Sequence, residues 1–177
     1  MSVLIAILLA LITLVVFIVV IGYNTPKIII VDVSKAFNHS ADQIFLKMGN
    51  FREFVQWSPW AVKDPNIKQQ FIGEPFTVGS TYLWEGNRSV GSGSLRIEHI
   101  EANERIDFTL NFGPQGDVKT SFILVEQPNQ TMVTWHFESD MGSNPFYRFF
   151  GNMMRGYLKK DFAQGLNNLT HLLASND

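Results

Sequence analysis

PFYRFFGNMMRGYLKKDFAQGLNNLTHLL, residues 145 to 173, is the stretch that decides the fold. Apolar side chains recur through it at Phe146, Phe149 and Phe150, Met153 and Met154, Tyr157 and Leu158, Phe162, Leu166, Leu169, and Leu172 and Leu173. These steps of three and four are those of one side of an α-helix. Asn144 before Pro145 is a helix start, because an Asn side chain accepts from the unpaired backbone N–H groups of the first turn and proline has its φ preset for that turn. The outcome is an amphipathic helix of nearly thirty residues whose apolar stripe must be covered.

The cover is legible upstream. Ile106, Phe108, Leu110 and Phe112 alternate with Arg105, Asp107, Thr109 and Asn111, the period of a strand with one face in a core and the other in water. Phe122 and Leu124 repeat the pattern, as do Val133, Trp135 and Phe137, with His136 and Glu138 on the opposite face. Strands are predicted over 28–37, 67–73, 80–86, 91–102, 104–112, 118–127 and 130–138, the last two joined by a tight turn at Gln127-Pro128-Asn129-Gln130. After the first strand, Ser40 caps ADQIFLKMGNFREFVQW (41–57), in which Ile44, Phe45, Met48, Phe51 and Phe54 keep helical spacing until it breaks at Gly49-Asn50. Two short helices are expected there, followed by Trp57-Ser58-Pro59-Trp60 and an irregular Asp64-Pro65-Asn66 turn before the strands begin. The only large apolar surface left in this α+β plan for the long helix is one face of the antiparallel sheet.

At the other end of the chain, VLIAILLALITLVVFIVVIGY (3–23) contains a single polar side chain, Thr13. As a helix it is roughly 30 Å long, enough to span a hydrocarbon core, and it has no polar face. A cleaved signal would carry a basic start, a shorter apolar core and a small-residue exit. None of these is present. Residues 1–26 therefore read as a single-pass anchor and its exit, and 27–177 as one domain. Lys27, Lys35 and Lys47 follow the span while no Lys or Arg precedes it, so the domain is expected on the cytoplasmic side of the cell membrane.

Composition narrows the function. The 177 residues carry a net charge of −2, which argues against a nucleic-acid partner, and no Cys, which removes thiol nucleophiles and thiolate metal ligands. His39, His99, His136 and His171 are dispersed without metal-ligand spacing, no nucleophile elbow occurs, and no catalytic residue, metal site or cofactor is assigned. Glu85 and Glu98 read as strand carboxylates on a solvated face, and Arg88 as a loop residue at a rim. The small residues Gly91-Ser92-Gly93-Ser94 suit close backbone approach in a strand. Arg155, Lys159 and Lys160 either form the solvated back of the last helix or meet anionic lipid head groups. The aromatic share, 13% with fifteen Phe and four Trp, is high.

The order of these elements, with FxxFVQWSPW, DP, YLWEGN…GSGSL and YLKKDFAQGLNNL, resembles the START-related SRPBCC (Bet v 1-like) superfamily over residues 28 to 173, and in particular its bacterial polyketide cyclase/dehydrase-like members. The resemblance implies a helix-grip fold, a curved antiparallel sheet wrapped around the long C-terminal helix, with an elongated apolar cavity between them. It would place Trp57 and Trp60 near the mouth, Tyr82 and Trp84 on one strand face, Phe108, Leu110, Phe122, Trp135 and Phe137 in the concave wall, and Phe149, Met153 and Tyr157 on the helix side. The function expected is a membrane-tethered binding module for a hydrophobic small molecule or lipid. The alternatives are a cyclase/dehydrase-like enzyme and a protein-interaction domain with a vestigial pocket, and no protein partner is identified.

Overall fold

Alternating apolar residues build a sheet on which the last helix rests. In the computed structural model, which describes residues 2–113 and 116–175, the element order is α1 (Ser2–Asn24), β1 (Ile28–Phe37), α2 (Ala41–Met48), α3 (Phe51–Trp57), α4 (Pro59–Lys63), β2 (Lys68–Ile72), β3 (Thr81–Glu85), β4 (Ser92–Glu101), β5 (Arg105–Asn111), β6 (Asp117–Gln127), β7 (Gln130–Asp140) and α5 (Pro145–Ala174). All seven strands pair antiparallel in the order β1-β7-β6-β5-β4-β3-β2, the curved sheet and long helix of the helix-grip fold. The first strand thus closes against the last. The predicted strands are all present, with ends within a residue or two.

Burial follows the alternation. Ile106, Phe108, Phe122, Leu124, Val133, Trp135 and Phe137 are buried on the concave face. On the outer face His136 Nδ1 lies 2.6 Å from Asp32 Oδ1 across the β1–β7 pair. Gly93 sits opposite Trp84 in the β3–β4 register, and a side chain there would collide with the Asn111 carbonyl and the Trp84 ring. The predicted close approach is therefore real, with the indole lying where a Cβ would be.

The helical segments depart from expectation in two ways. Three short helices stand where two were expected: Pro59 opens α4 at its first turn, and it follows α3 directly. The second departure concerns α5. Its start is as expected, the Asn144 side chain accepting from Phe146 N at 2.9 Å. Its second half is covered by the sheet, with Phe162, Leu166, Leu169 and Leu173 buried. Its first half is covered only along Arg148 and Gly151, and Phe146, Tyr147, Phe150, Met153, Met154 and Tyr157 remain exposed. Adjacent apolar residues make the stripe too wide for one sheet face, and the part that turns away from the sheet has no cover.

The apolar N-terminal helix α1 lies outside the core and is long and apolar enough to cross a membrane. The polar side chain in its middle is satisfied within the helix, Thr13 Oγ1 donating to the Leu9 carbonyl at 2.8 Å. The last turn of α1 meets the first turn of α5 so closely that any side chain at Gly22 would collide with the Pro145 backbone. The chain then enters the sheet, and Met141 N donates to the Lys27 carbonyl at 2.8 Å.

In its C-terminal half α5 packs tightly on the sheet and α4 at Gly165, where an added Cβ would stand 2.8 Å from the Trp135 ring and 3.1 Å from Pro59 Cδ. Helix propensity alone would favour Gly165→Ala by about 1 kcal/mol. Overpacking a filled contact costs about 1–3 kcal/mol, and neither the indole nor the proline ring can yield. Gly165→Ala is expected to lower stability, measured as a reduced denaturant midpoint of the full chain in detergent.

Candidate functional site

The concave face, α4 and the middle of α5 enclose a cavity of about 270 Å³, near the lower end of the range for small-molecule sites, about 300–1,000 Å³. Its base is aromatic: Phe54, Tyr82, Phe108, Phe122, Trp135, Phe137 and Phe162 are buried and line it. The rim is made by Ser89 and Val90 of the β3–β4 loop, Phe112 after β5, and Met154 and Tyr157 of α5. These rim side chains are half-buried to exposed, so the opening lies between two hairpin loops and the helix.

Nine of the twelve side chains expected at the site are in this lining: Trp60, Tyr82, Trp84, Phe108, Leu110, Phe122, Trp135, Phe137 and Tyr157. Trp57 is elsewhere. It is fully buried, donates from its indole nitrogen to the Lys47 carbonyl at 2.9 Å, and meets Phe54 edge-on with centroids 5.0 Å apart, so it is a core pillar and not a residue of the mouth. Phe149 and Met153 are also outside the lining, and Met154 and Leu158 take the helix side instead. Successive helix residues differ by about 100° in direction, so an error of one position turns a side chain from the cavity to solvent.

Several lining residues were not anticipated. Phe112 continues the alternation of Phe108 and Leu110, and Phe54, Ser58 and Ala61 follow helical steps of four and three across α3 and α4, so a signal existed for both groups. Leu95 faces Tyr82 and Leu110 in the sheet register and follows from their pairing alone.

Three polar side chains of the wall are already engaged. Trp135 Nε1 donates to Thr120 Oγ1 at 3.1 Å, and that hydroxyl donates to the His136 carbonyl at 2.7 Å. Asp161 accepts from Lys63 Nζ at 2.8 and 2.7 Å. A guest therefore meets mainly ring faces and alkyl groups, a surface that rewards burial of apolar area over hydrogen bonding. Among the described residues no cluster of His, Asp and Glu is arranged to hold a metal ion.

Burial pushes the Tyr82 phenol up to about 12, against a smaller opposing effect of its hydrogen bond with Gln69. The folded state thus favours the neutral phenol over the unfolded chain, where a Tyr ionises near 10. The sign follows: this contribution is complete below about pH 10 and is lost as pH rises from there toward the folded value. A spectrophotometric titration is expected to show one tyrosinate appearing late, near pH 12. Tyr82→Phe should remove that step.

With this geometry in hand, the comparisons with known proteins fall into one pattern. No curated protein matches the chain in sequence. Solved structures share its fold at low identity. Protein MLL2253 from Mesorhizobium loti superimposes with a TM-score of 0.61 at 18% identity, covering 84% of this chain and 99% of its own. The Aha1 dimer from Colwellia psychrerythraea gives 0.59 at 17%, covering 82% and 96%. DynU16, from the dynemicin biosynthetic locus, gives 0.60 at 17%, covering 84% of this chain and 48% of its own. The profile of one sequence family matches residues 29–174, from the first strand to the end of α5, and on that match the chain belongs to the polyketide cyclase/dehydrase and lipid transport family.

Proposed function

We propose that this protein is a membrane-tethered receptacle for a hydrophobic small molecule or lipid, held between the concave sheet face and α5. Residues 1–26 serve as the anchor and its exit, and 27–177 as the binding domain. The observation that carries the reading is the cavity itself: apolar, ring-lined, open at one end, and with the polar atoms of Thr120 and Trp135 in its wall paired to each other. A catalyst of cyclisation or dehydration needs a proton donor or acceptor aimed at the substrate. Here the Tyr82 phenol is held strongly neutral and Asp161 is engaged by Lys63, which favours binding over the enzymatic alternative. An open cavity also argues against an interaction domain with a vestigial pocket. The apolar, uncharged α1 supports tethering, and Lys27, Lys35 and Lys47 after it support a domain on the cytoplasmic side.

Leu110 lines the cavity and is only half-buried, so Leu110→Trp adds bulk into open space. The expected result is weakened binding of a fluorescent fatty acid with less than ~1 kcal/mol of stability lost, below the cost of overpacking a solid core. Unchanged binding, or a large loss of stability, would count against a receptacle. For sidedness, protease added to intact spheroplasts is expected to leave the domain uncut, and digestion from outside would reverse the orientation.

A further inference from the structure

The unpartnered half of α5 has a specific neighbour. Tyr147, Phe150, Met153, Met154 and Tyr157 are 65%, 50%, 51%, 55% and 67% exposed, and Phe146 continues the row toward the N-terminus of the helix. At 3.6 residues per turn these six side chains fall within about 120° of the helix circumference, a continuous stripe roughly 17 Å long. Soluble proteins rarely leave such a stripe open, and where it occurs it marks an interaction surface.

What covers it follows from where it begins. The stripe starts one residue after Pro145, and Pro145 is the residue packed on Gly22 in the last turn of α1. The next residue of α1, Tyr23, is 64% exposed, and tyrosines at the ends of membrane helices sit at the level of the lipid head groups. The head of α5 is therefore held at the depth where α1 leaves the bilayer, and any other occupant of the stripe would have to displace lipid from that level. Charge agrees. From Pro145 to Lys160 there is no acidic residue and there are four basic ones, of which Arg148 is buried and donates to the Gly142 carbonyl. Lys160 borders the stripe, and Arg155 and Lys159 lie on the other side of the helix, so no carboxylate on this segment opposes anionic head groups.

We infer that the N-terminal half of α5, Phe146 to Tyr157, lies in the head-group layer of the membrane that α1 enters, so that the cavity mouth opens against lipid. This rests on α1 being a membrane anchor and adds the path of the ligand. Met154 and Tyr157 belong both to the stripe and to the rim, so a hydrophobic guest passes from bilayer to cavity along apolar surface without crossing water. An amphipathic helix that embeds one aromatic-rich face at the interface fits these residues.

The chain has no cysteine, which allows single-site labelling of the full protein. Ile12→Cys, Phe150→Cys, Met153→Cys, Tyr157→Cys and Asn129→Cys, each carrying an environment-sensitive fluorophore, are reconstituted in vesicles of phosphatidylcholine and phosphatidylglycerol. Asn129 is exposed in the β6–β7 hairpin and reports the aqueous baseline. Labels at 12, 150, 153 and 157 are expected to be blue-shifted, strongly quenched by doxyl lipid and protected from iodide, and the label at 129 to show the reverse. Quenching by doxyl lipid at 12, with 150, 153 and 157 behaving like 129, overturns the inference and leaves the anchor standing. Labels at 150 to 157 shielded from both quenchers would mean that protein covers the stripe, which also overturns it. No doxyl quenching at 12 removes the anchor and the inference together.

Discussion

The stack of Trp135 on Phe162 joins the two halves of this domain. The rings are parallel within 2° and their centroids are 4.2 Å apart, closer than any other aromatic pair described in the chain. The contact is possible because Gly165, one turn further along α5, has no side chain to hold the helix off the sheet. Around it Trp57, Phe54 and Phe122 pack edge-on or tilted against Trp135, so one indole orders the short helices, the sheet and the long helix at once. The indole also contributes its N–H to Thr120, which satisfies the one polar atom a buried tryptophan brings with it.

The cavity is the complement of that contact. Where α5 is pinned at Phe162 and Gly165 the core is solid, and beside Met154 to Leu158 the space between helix and sheet is left open before Gly151 closes again on Ile29. Aromatic side chains suit such a boundary because they are rigid and large: a ring packed on one face against the core presents its other face to the opening without collapsing into it. Met154 at the rim adds a flexible side chain able to follow guests of different shape. Pairing of Thr120 and Asp161 within the protein keeps the wall apolar in effect even where it contains polar atoms, so size and shape, more than hydrogen-bond pattern, select the guest.

The two halves of α5 divide two tasks. Its C-terminal half uses leucines on one narrow face to close the core. Its N-terminal half carries aromatic and methionine residues on a face rotated away from the sheet, next to the exit of α1. A single helix thereby links core, cavity rim and apolar N-terminal segment, and a displacement of its first turns relative to α1 would be felt at the rim.

The sequence by itself determined the order and nature of the elements. Alternation in 106–112 and 131–137 specifies strands and their inner face because a period of two leaves no other choice, and Asn144-Pro145 with thirty residues of helical periodicity specifies α5. The apolar run of 3–23 was equally legible as a helix, and nine of the twelve expected cavity residues are in the lining. Tertiary structure decided the rest. In Phe149-Phe150, Met153-Met154 and Tyr157-Leu158 both neighbours are apolar, so periodicity cannot tell which of two directions about 100° apart faces the sheet. Packing at Gly165 fixes that rotation, and it sets Met154 at the cavity rim and leaves Met153 outside the lining. The depth of Trp57 was hidden for the same kind of reason: a tryptophan after a short helix reads alike at a mouth or in a core, and only the packing of Phe54, Phe122 and Trp135 around it places it in the core.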